Sequence, residues 1–295
     1  MNKEKEEVFK IESVPKALTA MALPTVFSQV IVLAYNIADT WFIGRTDNPY
    51  MIGAASLVLT LFLSLAALAN LFGVGGGNLM VRQMGSGDME GAKKTASHSL
   101  AMAVITAIGF SVVCLILMNP LLNLLGASEN TFDYARQYLI FTVVLGGVPT
   151  VMSLAMPMLL RNAGFAKEAG IGVAFGGILN IALDPLFMFV ILPDGYQVLG
   201  AALATLISNV ASMIYFIVVY VKYKNKSILV LPKRIEKITK EAKKALYSVG
   251  VPAALILLMF DIVNIVLNKL AASYSDIELA SVGIVLKVER FPINI

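Results

Sequence analysis

The sequence predicts an all-α polytopic membrane protein. Three observations carry that reading. Of the 295 residues, 58% are apolar and only 14% charged, with a mean hydropathy of +0.80, whereas a soluble domain is about half apolar and about a quarter charged. A single core stops growing near roughly 250–300 residues, so the surplus is not simply more interior. Long stretches lack Asp, Glu, Lys and Arg almost completely, and about 20 such residues suffice to span the hydrocarbon as a helix. The positive residues gather in alternate connections.

The charge-poor runs are Ala17–Gly44 (interrupted by Asp39), Asn48–Val81, Thr95–Ser128, Gln137–Leu160, Ala169–Pro193 (Asp184), Gly195–Val221 and Ala245–Asn268 (Asp261), with an eighth opening at Leu279. They mix Leu, Val, Ile and Ala without alternation, which fits helices and not a barrel. The first run is too long for the apolar region of a signal peptide and has no small-residue cleavage pattern, so it reads as an uncleaved span. With the N-terminus cytoplasmic, 18 of the 23 Lys and Arg fall inside and three, Arg45, Arg136 and Lys269, outside. That bias predicts a multi-pass protein of the cell membrane with its N-terminus in the cytoplasm.

Residues 1–221 read as a six-span N-terminal lobe and 222–244 as a basic linker. Ile235, Ile238, Ala242 and Leu246 recur at helical spacing there, predicting an amphipathic helix on the cytoplasmic surface. Residues 245–295 read as the start of a second lobe. Lys16-Ala17-Leu18, Pro24 and Asn36 recur as Lys244-Ala245-Leu246, Pro252 and Asn264, all 228 residues later. Two whole copies need about 456 residues, so the chain reads as a piece of a twelve-span protein with two parallel lobes.

An ionisable residue at the bilayer centre costs about 2.5–3.5 kcal/mol on insertion scales and normally faces a cavity or partner. Asp39 and Asp184 are the two in the complete lobe. Tyr35 and Asn36 precede Asp39 by one helical turn, and Asn180 precedes Asp184 by one turn. Pro185 frees the Ile181 carbonyl. A carboxylate, an amide and a free carbonyl suit a proton or Na⁺, the only cofactor-like species expected. Asp261, Asn264 and Asn268 form a weaker group on the seventh run, with partners expected from a second lobe. Pro24, Pro149, Pro157 and Pro185 are places where helices can bend. Met152, Met156 and Met158 read as ordinary packing rather than a drug surface.

Other chemistries lack their residues. The single Cys114 excludes a disulfide scaffold. The single His98 excludes a zinc site of the HExxH type and reads as a solvated interface residue. Gly73–Gly77 has no phosphate-binding lysine and reads as helix packing. No enzyme constellation appears at membrane depth, and nothing points to nucleic acid.

Ala22-Leu23-Pro24 with Tyr35-Asn36-x-x-Asp39-Thr40, Gly73–Gly77 through Gln83-Met-Gly85-Ser-Gly-Asp88, Asn180-x-x-Leu183-Asp184-Pro185, Gly200-Ala-Ala-Leu-Ala-Thr205 and Lys287-Val-Glu-Arg-Phe-Pro-Ile-Asn together resemble multidrug and toxic compound extrusion (MATE) transporters, in the branch related to DNA-damage-inducible protein F. The resemblance covers the entire chain. It implies two six-helix lobes of the MOP superfamily around a central cavity, exporting organic cations and drugs in exchange for H⁺ or Na⁺. It implies a cation site at Asp39, Asn180 and Asp184, the same three being candidates for Na⁺, with Thr205 beside them. The expected partners are the bilayer and cationic amphiphiles, and the full-length protein is expected to be a monomer. A flippase for lipid-linked sugars is the alternative in the same superfold. It requires several Lys or Arg lining a cavity, and the runs contain none.

Overall fold

The computed structural model describes residues 14–46, 48–223, 228–229, 231 and 236–293. Ten α-helices run through them: α1 Val14–Gly44, α2 Pro49–Gly85, α3 Met89–Ile116, α4 Met118–Leu125, α5 Glu129–Leu139, α6 Gly147–Asn162, α7 Ala166–Leu186, α8 Gln197–Tyr223, α9 Lys240–Tyr274 and α10 Asp276–Ile293. The described residues contain no strand. Six helices are long and apolar enough to cross a membrane, and the bent pair α5–α6 makes a seventh span.

The connections are short and their chemistry explains where each helix starts. Asn48 caps α2, accepting from the Tyr50 N–H at 3.0 Å, and Pro49 occupies the first turn, where its missing N–H costs nothing. Asp88 caps α3 through the Gly91 N–H at 2.8 Å. Gly87 before it has φ +84°, a conformation other residues rarely adopt. Ser128 and Thr131 form a reciprocal capping box at α5.

Breaks fall where the backbone ladder is interrupted. The third run, expected as one span, divides at Leu117 into α3 and the short α4. Pro120 lacks the N–H that would bond the Ile116 carbonyl. The fourth span widens into a π-helical stretch at Ile140–Leu145 and bends by 52° before α6. A second π-helical stretch, Phe187–Ile191, follows Pro185 at the end of α7.

The buried hub is α2, in contact with α3, α5, α6, α9 and α10. Apolar burial does not drive helices together in lipid; close packing and buried hydrogen bonds do. The glycine stretch meets that need. A Cβ on Gly73 would lie 2.6 Å from Met158 Sδ on α6. On Gly76 it would strike the Ser99 hydroxyl of α3, and on Gly77 the Asn162 amide of α6. On Gly75 it would lie 2.6 Å from the Leu246 carbonyl and 2.8 Å from Gly250 Cα on α9. Successive glycines thus seat three helices on one, as packing rather than a nucleotide loop.

The repeat has a structural counterpart. α10 begins at 276 against 49 for α2, an offset of 227 residues. Large apolar side chains such as Phe27, Ile116, Val190 and Val218 are exposed.

Three expectations need correction. The amphipathic linker helix starts only at Lys240, where Thr239 accepts from the Ala242 N–H at 3.1 Å; residues 236–239 are not helical and Ile235 lies outside the described residues. The helix is the first turns of a span, and Ile238 and Leu246 pack into the core instead of facing lipid heads. His98 is buried, not solvated: Nδ1 sits 2.8 Å from the Glu236 carbonyl, which can only accept, so Nδ1 carries the hydrogen. Arg161, counted among the loop residues, belongs to α6 and reaches across to α1, its Nη2 donating to Ser28 Oγ at 3.2 Å. Met152 and Met156 are buried in core packing, as expected.

The α2–α9 crossing yields a direct test. Gly75→Leu should lower unfolding free energy by about 1–3 kcal/mol or more. Gly85→Ala, with open space around its Cβ, should stay within about 0.5 kcal/mol. Thermal unfolding of the detergent-purified complete protein reads both.

Candidate functional site

The site begins with a missing side chain. Gly177 on α7 faces α1, where a Cβ would lie 3.0 Å from Ile31 Cγ2 and 3.1 Å from Tyr35 Cδ1. That close approach sets the level of the two helices. Asn180 follows Gly177 on the same face, and Asp184 follows one turn later. On α1, Asp39 follows Tyr35 by one turn.

Asp184 is 0% exposed and Asn180 6%. The Asn180 amide donates to Asp184 Oδ1 at 3.5 Å, a long bond. Asp39 is half-buried. The residue that ties these groups together comes from the fourth span. Tyr138, at the end of α5, lies beside the Thr205 side chain of α8 and within electrostatic reach of Asp39, Asp184 and Tyr35. Four helices therefore converge on one polar group. Sequence reading missed Tyr138, although its place at the head of an uncharged run, beside Gln137, was a signal.

One turn beyond the site, away from the end of the bundle that carries Arg82, Lys93, Lys94, Lys167 and Lys240 (the basic end), the lining turns apolar. Ile43 follows Asp39 by four residues, Met188 follows Asp184 by four, and Ala201 precedes Thr205 by four. These three, with Ala55, form a cluster with none more than 4% exposed, and Phe42, Ile52 and Tyr138 pack against it. The same register that assembles the polar group thus seals it on one side.

The expected second-lobe residues lie elsewhere. Asp261 on α9 is 3% exposed and accepts from Ser64 Oγ of α2 at 3.3 Å. Asn268 donates to the Ser56 carbonyl at 3.3 Å. These hydrogen bonds run to α2 of the first lobe. Asn264 is half-buried on the same helix. The Asn36 side chain lies outside the described residues.

Two acids, an amide, a phenol and a hydroxyl make an oxygen-rich set for a hard cation or a proton. No group of three or more His, Cys, Asp or Glu able to hold a metal occurs among the described residues.

Comparison with known proteins follows this geometry. The family model for MatE matches residues 24–186. The multidrug export protein MepA of Staphylococcus haemolyticus is 31% identical over 290 residues, 97% of this chain and 63% of its own length. The chain thus spans less than two thirds of that relative. An inward-facing conformation of a multidrug resistance MATE family transporter of the MOP superfamily superposes with TM-score 0.77 at 27% identity, covering 88% of this chain and 57% of that one. An outward-facing conformation of such a transporter gives TM-score 0.77 at 25% identity, covering 92% and 63%.

Proximity of the acids is testable without transport. In a thermal-unfolding double-mutant cycle, Asp39→Asn and Asp184→Asn should be coupled by about 0.5 kcal/mol or more, whereas distant sites add to within about 0.5 kcal/mol. Additive effects contradict a shared site.

Proposed function

This chain belongs to the MatE family, a family of membrane transporters, and from that premise we propose that it forms the coupling half of an antiporter exporting organic cations in exchange for H⁺ or Na⁺. The observation that carries the proposal is the buried Asp184, paired with Asn180 and joined through Tyr138 to Asp39 and Thr205.

Deprotonated and free of Na⁺, two acids in a poorly solvated site attract a cationic amphiphile. Loaded with H⁺ or Na⁺, they lose that attraction and release it. A ligand shifts an inward–outward equilibrium only by its differential affinity for the two states. The apolar cluster of Ile43, Met188 and Ala201 supplies such a difference: closed, it blocks the approach to the acids from the end opposite the basic one. Opening requires movement of α1, α7 or α8, and the π-helical stretch after Pro185 lies at that level. The N-terminus is assigned to the cytoplasm on charge distribution, which makes the basic end the inner one.

Ethidium efflux by the complete protein tests the coupling. Asp39→Asn and Asp184→Asn should each cut cation-driven efflux about tenfold or more, the loss of roughly 1.4 kcal/mol of coupling energy. Tyr138→Phe should cost less, because the carboxyls remain. Normal efflux with normal pH and Na⁺ dependence in both acid variants contradicts the proposal. Orientation has its own test in a Cys114→Ala background: Tyr196→Cys should react with a membrane-impermeant maleimide on intact cells, and Lys167→Cys only after permeabilisation.

A further inference from the structure

We propose that Arg161 is an anion-binding residue that takes a phosphate-type oxyanion into the basic half of the lobe, separate from the acidic site. The proposal stands whether or not the acids couple transport.

Position is the first argument. Asn162, next to Arg161, packs against Gly77 of α2. Gly77 precedes the end of α2 at Gly85 by eight residues, about 12 Å of helix. Nearer that end, Phe165, Ile228 and Leu229 are buried with Leu160 in an apolar cap. The base of the Arg161 side chain therefore lies within the bundle, not on its rim.

Hydrogen bonding is the second. A guanidinium has five N–H donors and no acceptor. Nη2 donates to Ser28 Oγ at 3.2 Å. Ser28 is 0% exposed and spends its own hydrogen on the Thr25 carbonyl at 2.8 Å, so its lone pairs face the arginine. Ser28 thereby orients the fork. Nε is buried without a hydrogen-bond partner. No carboxylate pairs with Arg161 among the described residues, where the ion pair seen is Lys94–Glu90 on the surface of α3.

Arg161 is partly exposed, but Nε itself is buried, and a poorly solvated cation without a counter-ion is costly, by several kcal/mol where burial is complete. Water satisfies donors but does not cancel the charge. A phosphate oxyanion does both and matches the planar fork with two parallel hydrogen bonds, the geometry for which arginine differs from lysine. It has two available sources at a membrane surface: a phospholipid headgroup drawn between the helices, or free phosphate.

The test uses the complete protein in detergent, followed by thermal unfolding with inorganic phosphate, with dioleoylphosphatidylglycerol, or with dioleoylglycerol, which has the same chains and no phosphate. A ligand that binds only the folded state raises the midpoint saturably. The expected result is such a rise with phosphatidylglycerol or phosphate and none with dioleoylglycerol. Arg161→Gln should weaken the apparent affinity at least tenfold and Arg161→Lys by less. Arg45→Gln, whose guanidinium stacks 4.8 Å over Trp41 at the opposite end, should bind as wild type. A rise with both phosphatidylglycerol and inorganic phosphate assigns a free oxyanion site; a rise with phosphatidylglycerol alone assigns the headgroup. If Arg161→Gln does not fold, the wild-type contrast between phosphatidylglycerol and dioleoylglycerol and the Arg161→Lys affinity decide. Equal responses to the two lipids with no phosphate effect, or equal affinity in wild type and Arg161→Gln, overturn the proposal.

Discussion

A carboxylate sealed between membrane helices is the constraint on which the rest depends. Asp184 has no exposed surface, and an isolated ionised acid at that depth is far too costly to keep. Polar groups answer it: the Asn180 amide on its own helix donates to it, and Tyr138 of α5 lies within electrostatic reach beside Thr205 of α8, with Asp39 of α1 as a second acid near the same phenol. Each arrives because a glycine or a bend lets its helix approach, Gly177 for α1 and the 52° break after Leu145 for the fourth span. Packing and electrostatics are therefore one arrangement here.

At the other end of the lobe, α2 plays a mechanical part. Its glycines admit α3, α6 and α9 on successive faces. The contact with α9 joins the lobe to the beginning of the repeat, and the Asp261–Ser64 and Asn268–Ser56 hydrogen bonds run along the same crossing. Polar bonds between helices in lipid are modest in energy, about 0.6–2 kcal/mol each. A crossing held by glycine contact and a few such bonds can rock without unfolding.

Much of this was legible in the sequence. Charge-free runs located the spans, because a membrane helix has to be apolar along its whole length. Asp39 and Asp184 stood out because the cost of charge is highest there. Tyr138 did not stand out: a tyrosine near a membrane interface is common, and only the tertiary bend of α5–α6 turns it inward. His98 and Arg161 were misjudged for one reason. Each sits at the edge of an apolar run beside basic residues, which suggests solvent, yet α3 starts well before His98 and α6 runs through Arg161, so both are carried into the bundle. The linker failed as a surface helix because its apolar residues had a better partner, the open end of the core, where Ile228 and Leu229 are buried.

Infrared difference spectra of the carboxyl region, recorded as a cationic substrate is added to the complete protein, test the central claim most directly. The account predicts a change in the carboxyl bands, from proton loss or Na⁺ displacement, that is altered by Asp39→Asn and by Asp184→Asn alike, because the proposal places both acids in one site. Spectra in which neither substitution alters the substrate-induced change contradict it.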